Sequence, residues 1–305
     1  MCGIIGYVGP RDTKEVLLEG LRRLEYRGYD SAGLALFHNG KVMIRRALGK
    51  LRELENKTSG ERFNGNLGVG HTRWATHGKP SESNAHPHKA GGVAVVHNGI
   101  IENYLPLKNM LSGEGHTFKS ETDTEILCHL IQRYLFKGEK FEEAVRQALL
   151  QVQGSYAIAA LYEGEKDKLI AARKESPLIL GIGEKERFIA SDIPAILPYT
   201  RKMIFLEDGE MAVVQEKGHR ISNVDENGDA QFTGARPERV EAVVVHRHQA
   251  PARPPAMRRH GSASLYAAAG TRWYAPVVLI MSLLWFGSVL LYGIGAVRLG
   301  ALGPA

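Results

Sequence analysis

Residues 1–9 read Met-Cys-Gly-Ile-Ile-Gly-Tyr-Val-Gly, and the way this opening is read decides the fold. Ile4, Ile5, Tyr7 and Val8 make a short apolar run of the kind a buried strand carries. Cys2 stands at its entrance. Removal of Met1, which a small second residue permits, would leave Cys2 with a free α-amine of pKa about 7.7–8.0. Such an amine is a general base tuned near neutral pH and held beside a strong nucleophile, so no separate histidine is required. The blander reading makes Cys2 a small hydrophobe entering a strand; from position alone it is the commoner one.

Outward from this strand the punctuation is clear. Asp12 can cap a helix through residues 17–27, with Val16, Leu17, Leu21 and Leu24 inward and Gly28 as its stop. Asn39-Gly40, set between the β-rich runs 32–38 and 41–47, signals a two-residue hairpin. Residues 67–73 and 92–99 are further strand candidates. A helical middle follows: 122–138, with Thr122 and Asp123 at its start, and then 141–152. Strands return at 155–162, 168–173, 177–183, 188–192 and 203–215, the last with a turn at Asp208-Gly209. Strands, then helices, then strands imply sheets covered by helices, an α+β arrangement without a regular βαβ repeat.

Charge divides the chain of 305 residues in two. Residues 236–305 hold eight arginines, two acids (Glu238 and Glu241) and no lysine, a surplus equal to the whole net charge of +6. The first 235 residues are therefore neutral, and nucleic-acid binding by that part has no electrostatic support. Two cysteines, Cys2 and Cys128, cannot build a disulfide framework and suggest a reducing compartment. The opening also lacks the basic and apolar stretches of a secretory signal. These features imply a domain over 1–234, a basic Pro/Arg/Ala-rich linker over 235–270, and a membrane segment within 271–305. Residues 275–296 carry no ionisable group and, at about 1.5 Å per residue, span roughly 33 Å, enough to cross a bilayer core. The basic excess in front of it keeps the N-terminal part in the cytoplasm, tethered to the inner membrane.

Several polar islands could do chemistry. His71 to Gly78, containing Arg73, Trp74, Thr76 and His77, follows a strand, and His97-Asn98-Gly99 ends another. Asn98 with the Gly99 amide could form an oxyanion hole. Arg73 offers a cation and Asp123 an anion, a pair that suits the carboxylate and ammonium of an α-amino acid. Taken singly, Asp123 is more often a helix-start residue and Arg73 a structural arginine. The histidines His71, His77, His86, His88 and His97 admit a competing metal-ligand reading, but no HExxH or CxxC accompanies them. The expectation is no metal and no cofactor.

The segments 1–9, 22–33 (RRLEYRGYDSAG), 71–78 (HTRWATHG), 84–88 (NAHPH), 97–103 (HNGIIEN) and 120–125 (SETDTE) closely resemble the glutaminase domain of the glutamine–fructose-6-phosphate aminotransferase (isomerizing) family, across roughly residues 1–232. The resemblance implies a four-layer αββα fold of the N-terminal-nucleophile type, Met1 removal, and attack by Cys2 on the side-chain amide of L-glutamine. It implies Asn98 and Gly99 as the oxyanion hole, Arg73 and Asp123 on the glutamine head group with Trp74, Thr76 and His77 alongside, and Arg27 near the nucleophile. The family continues into two sugar-isomerase domains that this stretch does not include, so a separate sugar-phosphate isomerase chain is a candidate partner. The C-terminal stretch weakly resembles a piece of a rhamnose–proton symporter-type transporter, which suggests a fusion. The competing reading is an idle fusion product that serves at most as a binding module.

Overall fold

The computed structural model describes residues 2–75 and 78–225, together with the backbone of 241–242. In chain order the elements are β1 (Gly3–Val8), α1 (Thr13–Arg22), β2 (Ser31–His38), β3 (Lys41–Leu48), α2 (Leu51–Thr58), β4 (Leu67–Arg73), β5 (His88–Ala90), β6 (Val93–Ile101) and α3 (Tyr104–Gly113). They continue with α4 (Glu125–Phe136), α5 (Phe141–Leu150), β7 (Gly154–Tyr162), β8 (Glu165–Lys174), β9 (Ile179–Gly183), β10 (Glu186–Ala190), β11 (Lys202–Phe205), β12 (Glu210–Gln215), β13 (Gly218–Asn223) and β14 (Glu241–Ala242).

Local chemistry explains most of the starts and stops. Asp12 accepts a hydrogen bond from the Glu15 amide and caps α1. The helix ends at Arg22, and a short 3₁₀ turn (Glu25–Arg27) carries the chain to Gly28. Asn39 (φ 50°) and Gly40 (φ 77°) turn the β2–β3 hairpin with both central residues left-handed, the twist that two-residue hairpins favour. One sheet has eight strands in the order β14-β11-β9-β10-β1-β4-β2-β3, and the other six in the order β13-β12-β8-β7-β6-β5. Their ladders are antiparallel throughout.

The period-2 alternation of these strands sorts their side chains into three cores. Ile4 and Val8 of β1, Leu67 and Val69 of β4, Ala94 and Val96 of β6, and Ala157 and Ala159 of β7 pack between the two sheets. The opposite face of the larger sheet, with Ile5, Tyr7, Leu34 and Leu36, packs on α1 and α2 through Leu17, Leu21, Leu51 and Leu54. The outer face of the smaller sheet packs on α3, α4 and α5. Four layers result, αββα, with two stacked sheets at the centre. Each fully buried aliphatic side chain in them contributes roughly 1.5–3 kcal/mol. With both faces covered, β1 is a continuous apolar run, buried at every position.

Two parts of the architecture differ from the sequence expectations. β11 and β12 flank the Asp208-Gly209 turn yet lie in different sheets, so that turn is a crossing between layers. β14 lies beyond residue 234 and pairs with β11, Lys202 opposite Ala242 and Met203 opposite Glu241. An open sheet edge presents unpaired backbone groups, and the backbone of residues 241–242 takes up two of these positions. Among the described residues no helix is long and apolar enough to cross a membrane, and the apolar stretch 275–296 lies outside those residues.

Candidate active site

The interior rows of β1, β4 and β6 run apolar for most of their length and then turn polar at one end. In β1 the row is Cys2, Ile4, Gly6, Val8; in β4 it is Leu67, Val69, His71, Arg73; in β6 it is Ala94, Val96, Asn98. Because β1 and β4 are antiparallel, with Gly3 opposite Thr72, the start of β1 meets the end of β4. The Trp74 amide donates to Cys2 Sγ at 3.2 Å, and Sγ lies 3.5 Å from the Trp74 carbonyl. From the facing sheet, Asn98 Nδ2 donates to the Cys2 carbonyl at 3.2 Å. The two sheets thus meet at Cys2.

Gly99 follows with φ +134°, a conformation that L side chains rarely adopt, and a Cβ there would stand 2.1 Å from the Ser155 carbonyl. Glycine is required, and it lines the same cavity as Asn98. Arg73, 4% exposed, donates from Nη2 to the Gly78 carbonyl at 3.0 Å. Asp123, 5% exposed, precedes α4, which starts at Glu125, and its Oδ2 accepts from the Ile101 amide at 2.8 Å. Asp123 thus stands at the helix start, where its main-chain carbonyl accepts from the Ile126 amide at 3.3 Å while its carboxylate is turned to β6. Arg27 Nη1 donates to Asp192 Oδ2 at 3.0 Å and to the Ser191 carbonyl at 3.3 Å. A cavity of about 360 Å³ is lined by Cys2, Arg27, Arg73, Trp74, Asn98, Gly99 and Asp123. Its size suits a small molecule.

The Trp74 ring, 54% exposed, stands at the rim against Gly28, whose positive φ of 90° and missing Cβ leave room for the indole 2.6 Å from where that Cβ would be. Burial pushes the Cys2 thiol up; the Trp74 amide and the Arg73 charge pull it partly back. The cavity brings together the candidate catalytic residues Cys2, Asn98 and Gly99 and the candidate binding residues Arg73, Trp74, Asp123 and Arg27. Thr76 and His77 lie outside the described residues.

The histidines are packed rather than splayed around a vacant centre. The His71 and His86 rings lie 4.2 Å apart and those of His86 and His88 4.9 Å apart. His88 Nε2 bonds Thr122 Oγ1 at 2.9 Å, and His97 Nδ1 bonds Thr124 Oγ1 at 2.9 Å. Burial pushes His71 and His88 down to about 3, so both rings are neutral. Among the described residues no cluster of three or more His, Cys, Asp or Glu could hold a metal ion. Sequence reasoning missed the contacts of His71 and the support from Thr124 and Ser191. The β4 alternation places His71 on the same face as Leu67 and Val69, and that was the available signal.

Comparison with known proteins agrees with this geometry. The family described as glutamine amidotransferase domain matches residues 71–198. Glutamine–fructose-6-phosphate aminotransferase (isomerizing) of Pyrococcus horikoshii is 52% identical over 226 residues, 73% of this chain and 38% of that protein. The chain carries a glutamine amidotransferase domain. A Thermus thermophilus protein of the same name is 48% identical over 247 residues, 80% of this chain and 39% of that protein. The chain thus spans under two-fifths of the length of these relatives. Among solved structures, glutamine phosphoribosylpyrophosphate amidotransferase from B. subtilis superposes with a TM-score of 0.63 at 26% identity, covering 74% of this chain and 50% of that one. A glutamine aminotransferase class-II domain protein from Silicibacter pomeroyi shares the fold at 17% identity, with a TM-score of 0.52. The amidotransferase domain is thereby placed in the N-terminal-nucleophile fold with its two central sheets. None of these matches bears on the transporter-like reading of the C-terminal stretch.

Proposed function

We propose that this domain hydrolyses the side-chain amide of L-glutamine, releasing ammonia and glutamate, with Cys2 as nucleophile. The observation that carries the reading is the convergence of the Cys2 thiol, the Asn98 carboxamide and the Gly99 amide on one cavity that also holds a buried cation and a buried anion. Arg73 receives the substrate carboxylate and Asp123 its ammonium, with Trp74, Thr76, His77 and Arg27 forming the rest of the binding site. Removal of Met1 frees the Cys2 α-amine, which takes the thiol proton as sulfur adds to the amide carbon. Asn98 Nδ2 and the Gly99 amide stabilise the resulting oxyanion. The tetrahedral adduct collapses, the amine returns the proton to the leaving nitrogen, and ammonia departs. Water then hydrolyses the thioester to glutamate and restores the thiol.

A glutamate-release assay with wild type and Cys2→Ala tests the reading: activity in the first and none in the second supports it, and equal activity in both overturns it. Labelling of Cys2 by 6-diazo-5-oxo-norleucine separates a working site from an idle or purely binding one. Intact mass shows whether Met1 is gone.

The fructose-6-phosphate chemistry in the relatives' names is a further step of the proposal. Fructose 6-phosphate held on a separate sugar-phosphate isomerase chain would be the ammonia acceptor. The domain is assigned to the cytoplasm, held at the inner membrane by residues 275–296, on the strength of that segment's uninterrupted apolar character and the arginines in front of it. Recovery of the full chain, but not of a chain ending at residue 270, in carbonate-washed membranes checks the tether.

A further inference from the structure

The His71 imidazole takes no part in the chemistry described above, yet it joins both sheets at the site. It is fully buried. Its Nε2 lies 3.1 Å from the His97 carbonyl and 3.0 Å from Asn98 Oδ1. A carbonyl oxygen can only accept, so Nε2 carries the ring proton. That proton in turn requires an acceptor on Asn98, which fixes which end of the carboxamide is oxygen. The nitrogen end is turned to the Cys2 side, where it donates to the Cys2 carbonyl at 3.2 Å. One main-chain carbonyl thus selects a histidine tautomer, and the tautomer selects the orientation of the amide.

We propose that His71 is a positioning residue for the oxyanion hole: its Nε2–H, anchored on the His97 carbonyl, holds the Asn98 carboxamide with the NH₂ facing the reacting carbon. The inference rests on the glutaminase reading of the site and names a residue that this reading leaves without a role. An amide free to turn over would present oxygen to the developing oxyanion in part of its population, a repulsive contact in place of a donor. The device holds across the working pH range. His71 Nδ1 has no hydrogen-bond partner, so a second ring proton would be a buried donor with no acceptor. Burial is the main cause that keeps His71 neutral; the nearby His97 and the Arg73 guanidinium act the same way, and the bond to Asn98 opposes them only in part. The rings of His86 and His88, neutral for the same reason, follow in tilted and edge-to-face contact and bring no charge of their own.

The test compares His71→Gln with His71→Met, side chains of similar size of which only glutamine can donate to Asn98 Oδ1. His71→Met should lower kcat by roughly 10- to 100-fold with KM changed less than about twofold, a fraction of the loss from removing the donor itself. His71→Gln should recover most of the loss. Alkylation of Cys2 by iodoacetamide passes through no oxyanion, so its rate should be the same in both variants and the wild type. In an Asn98→Ala background His71→Met should have no further effect. Additive losses in that double variant, or parallel loss of alkylation and turnover, would overturn the proposal.

A readout on the wild-type protein covers the case in which both variants fold poorly. In a ¹⁵N-histidine spectrum His71 should be the Nε2–H tautomer and should not titrate between about pH 5 and 8; an Nδ1–H tautomer or a titrating ring would sink it. Should wild type release no glutamate, the glutaminase reading fails, while the tautomer measurement still decides whether His71 sets the amide.

Discussion

The layer between the two sheets has two ends, built from the same rows of the same strands and doing opposite things. At one end Val8, Leu67, Val69 and Val96 meet Leu169 and Val214 in a closed apolar core. At the other the rows continue as Cys2, Arg73 and Asn98 around a cavity, with His71 buried against Asn98. The strands run on from one to the other; what changes is the side-chain chemistry and, at Gly99, the backbone conformation. The closed end should therefore set stability and the open end rate, with little exchange between them.

The sharpest break between the two is expected at Cys2. Cys2→Ala should take glutamate release to background, a loss on the order of 10⁴-fold or more, while unfolding free energy moves by less than about 1 kcal/mol, as read in urea titrations beside the activity assay. Asn98→Ala follows, with kcat down by roughly 10²–10³-fold, since one oxyanion donor is removed. At the closed end Leu169→Ala should do the converse. It should cost about 2–5 kcal/mol in unfolding free energy and leave kcat per folded molecule within about twofold. A cavity substitution there that lowered kcat as strongly as Asn98→Ala would erase the distinction.

A smaller effect comes from the histidines behind the site. His71, His86 and His88 are held far below their unfolded pKa near 6.5. The unfolded chain therefore binds protons that the native state refuses. Stability should be full above about pH 6.5 and fall as pH drops from there toward about 3, by on the order of 1 kcal/mol per pH unit for each ring that charges on unfolding. Urea midpoints at pH 7, 6 and 5 measure it, and His88→Gln should flatten the slope. An unchanged slope in that variant would remove His88 from the account.

How much of this was legible in the sequence differs by element. β4 is legible with its observed bounds, the Asn39-Gly40 hairpin with its turn, and the Asp12 cap, although its helix ends at Arg22 and not at Gly28. These carry local signals: alternation, a turn dipeptide, a capping side chain. α2 and α3 were not read. Neither has a side-chain N-cap; α2 buries only Leu51, Leu54 and Thr58, and α3 carries Pro106 in its first turn and buries only Leu107 and Leu111. The division of strands between sheets was not legible either, because Asp208-Gly209 reads the same in a hairpin as in a layer crossing. At the site, residue types mark Cys2 and Asn98 as catalytic candidates and Arg73 with Asp123 as a binding pair. The job of His71 depends on a partner 27 positions away in the facing sheet, and no local pattern encodes such a distance.

Each sheet contributes half of the reactive constellation, Cys2 and Arg73 from one and Asn98 and Gly99 from the other. A chain that had completed either ladder in isolation would be silent in an assay, whatever its circular dichroism. Turnover is thus a clock for the last event of refolding, the closing of one ladder onto its neighbour, and it should lag every spectroscopic sign of strand formation.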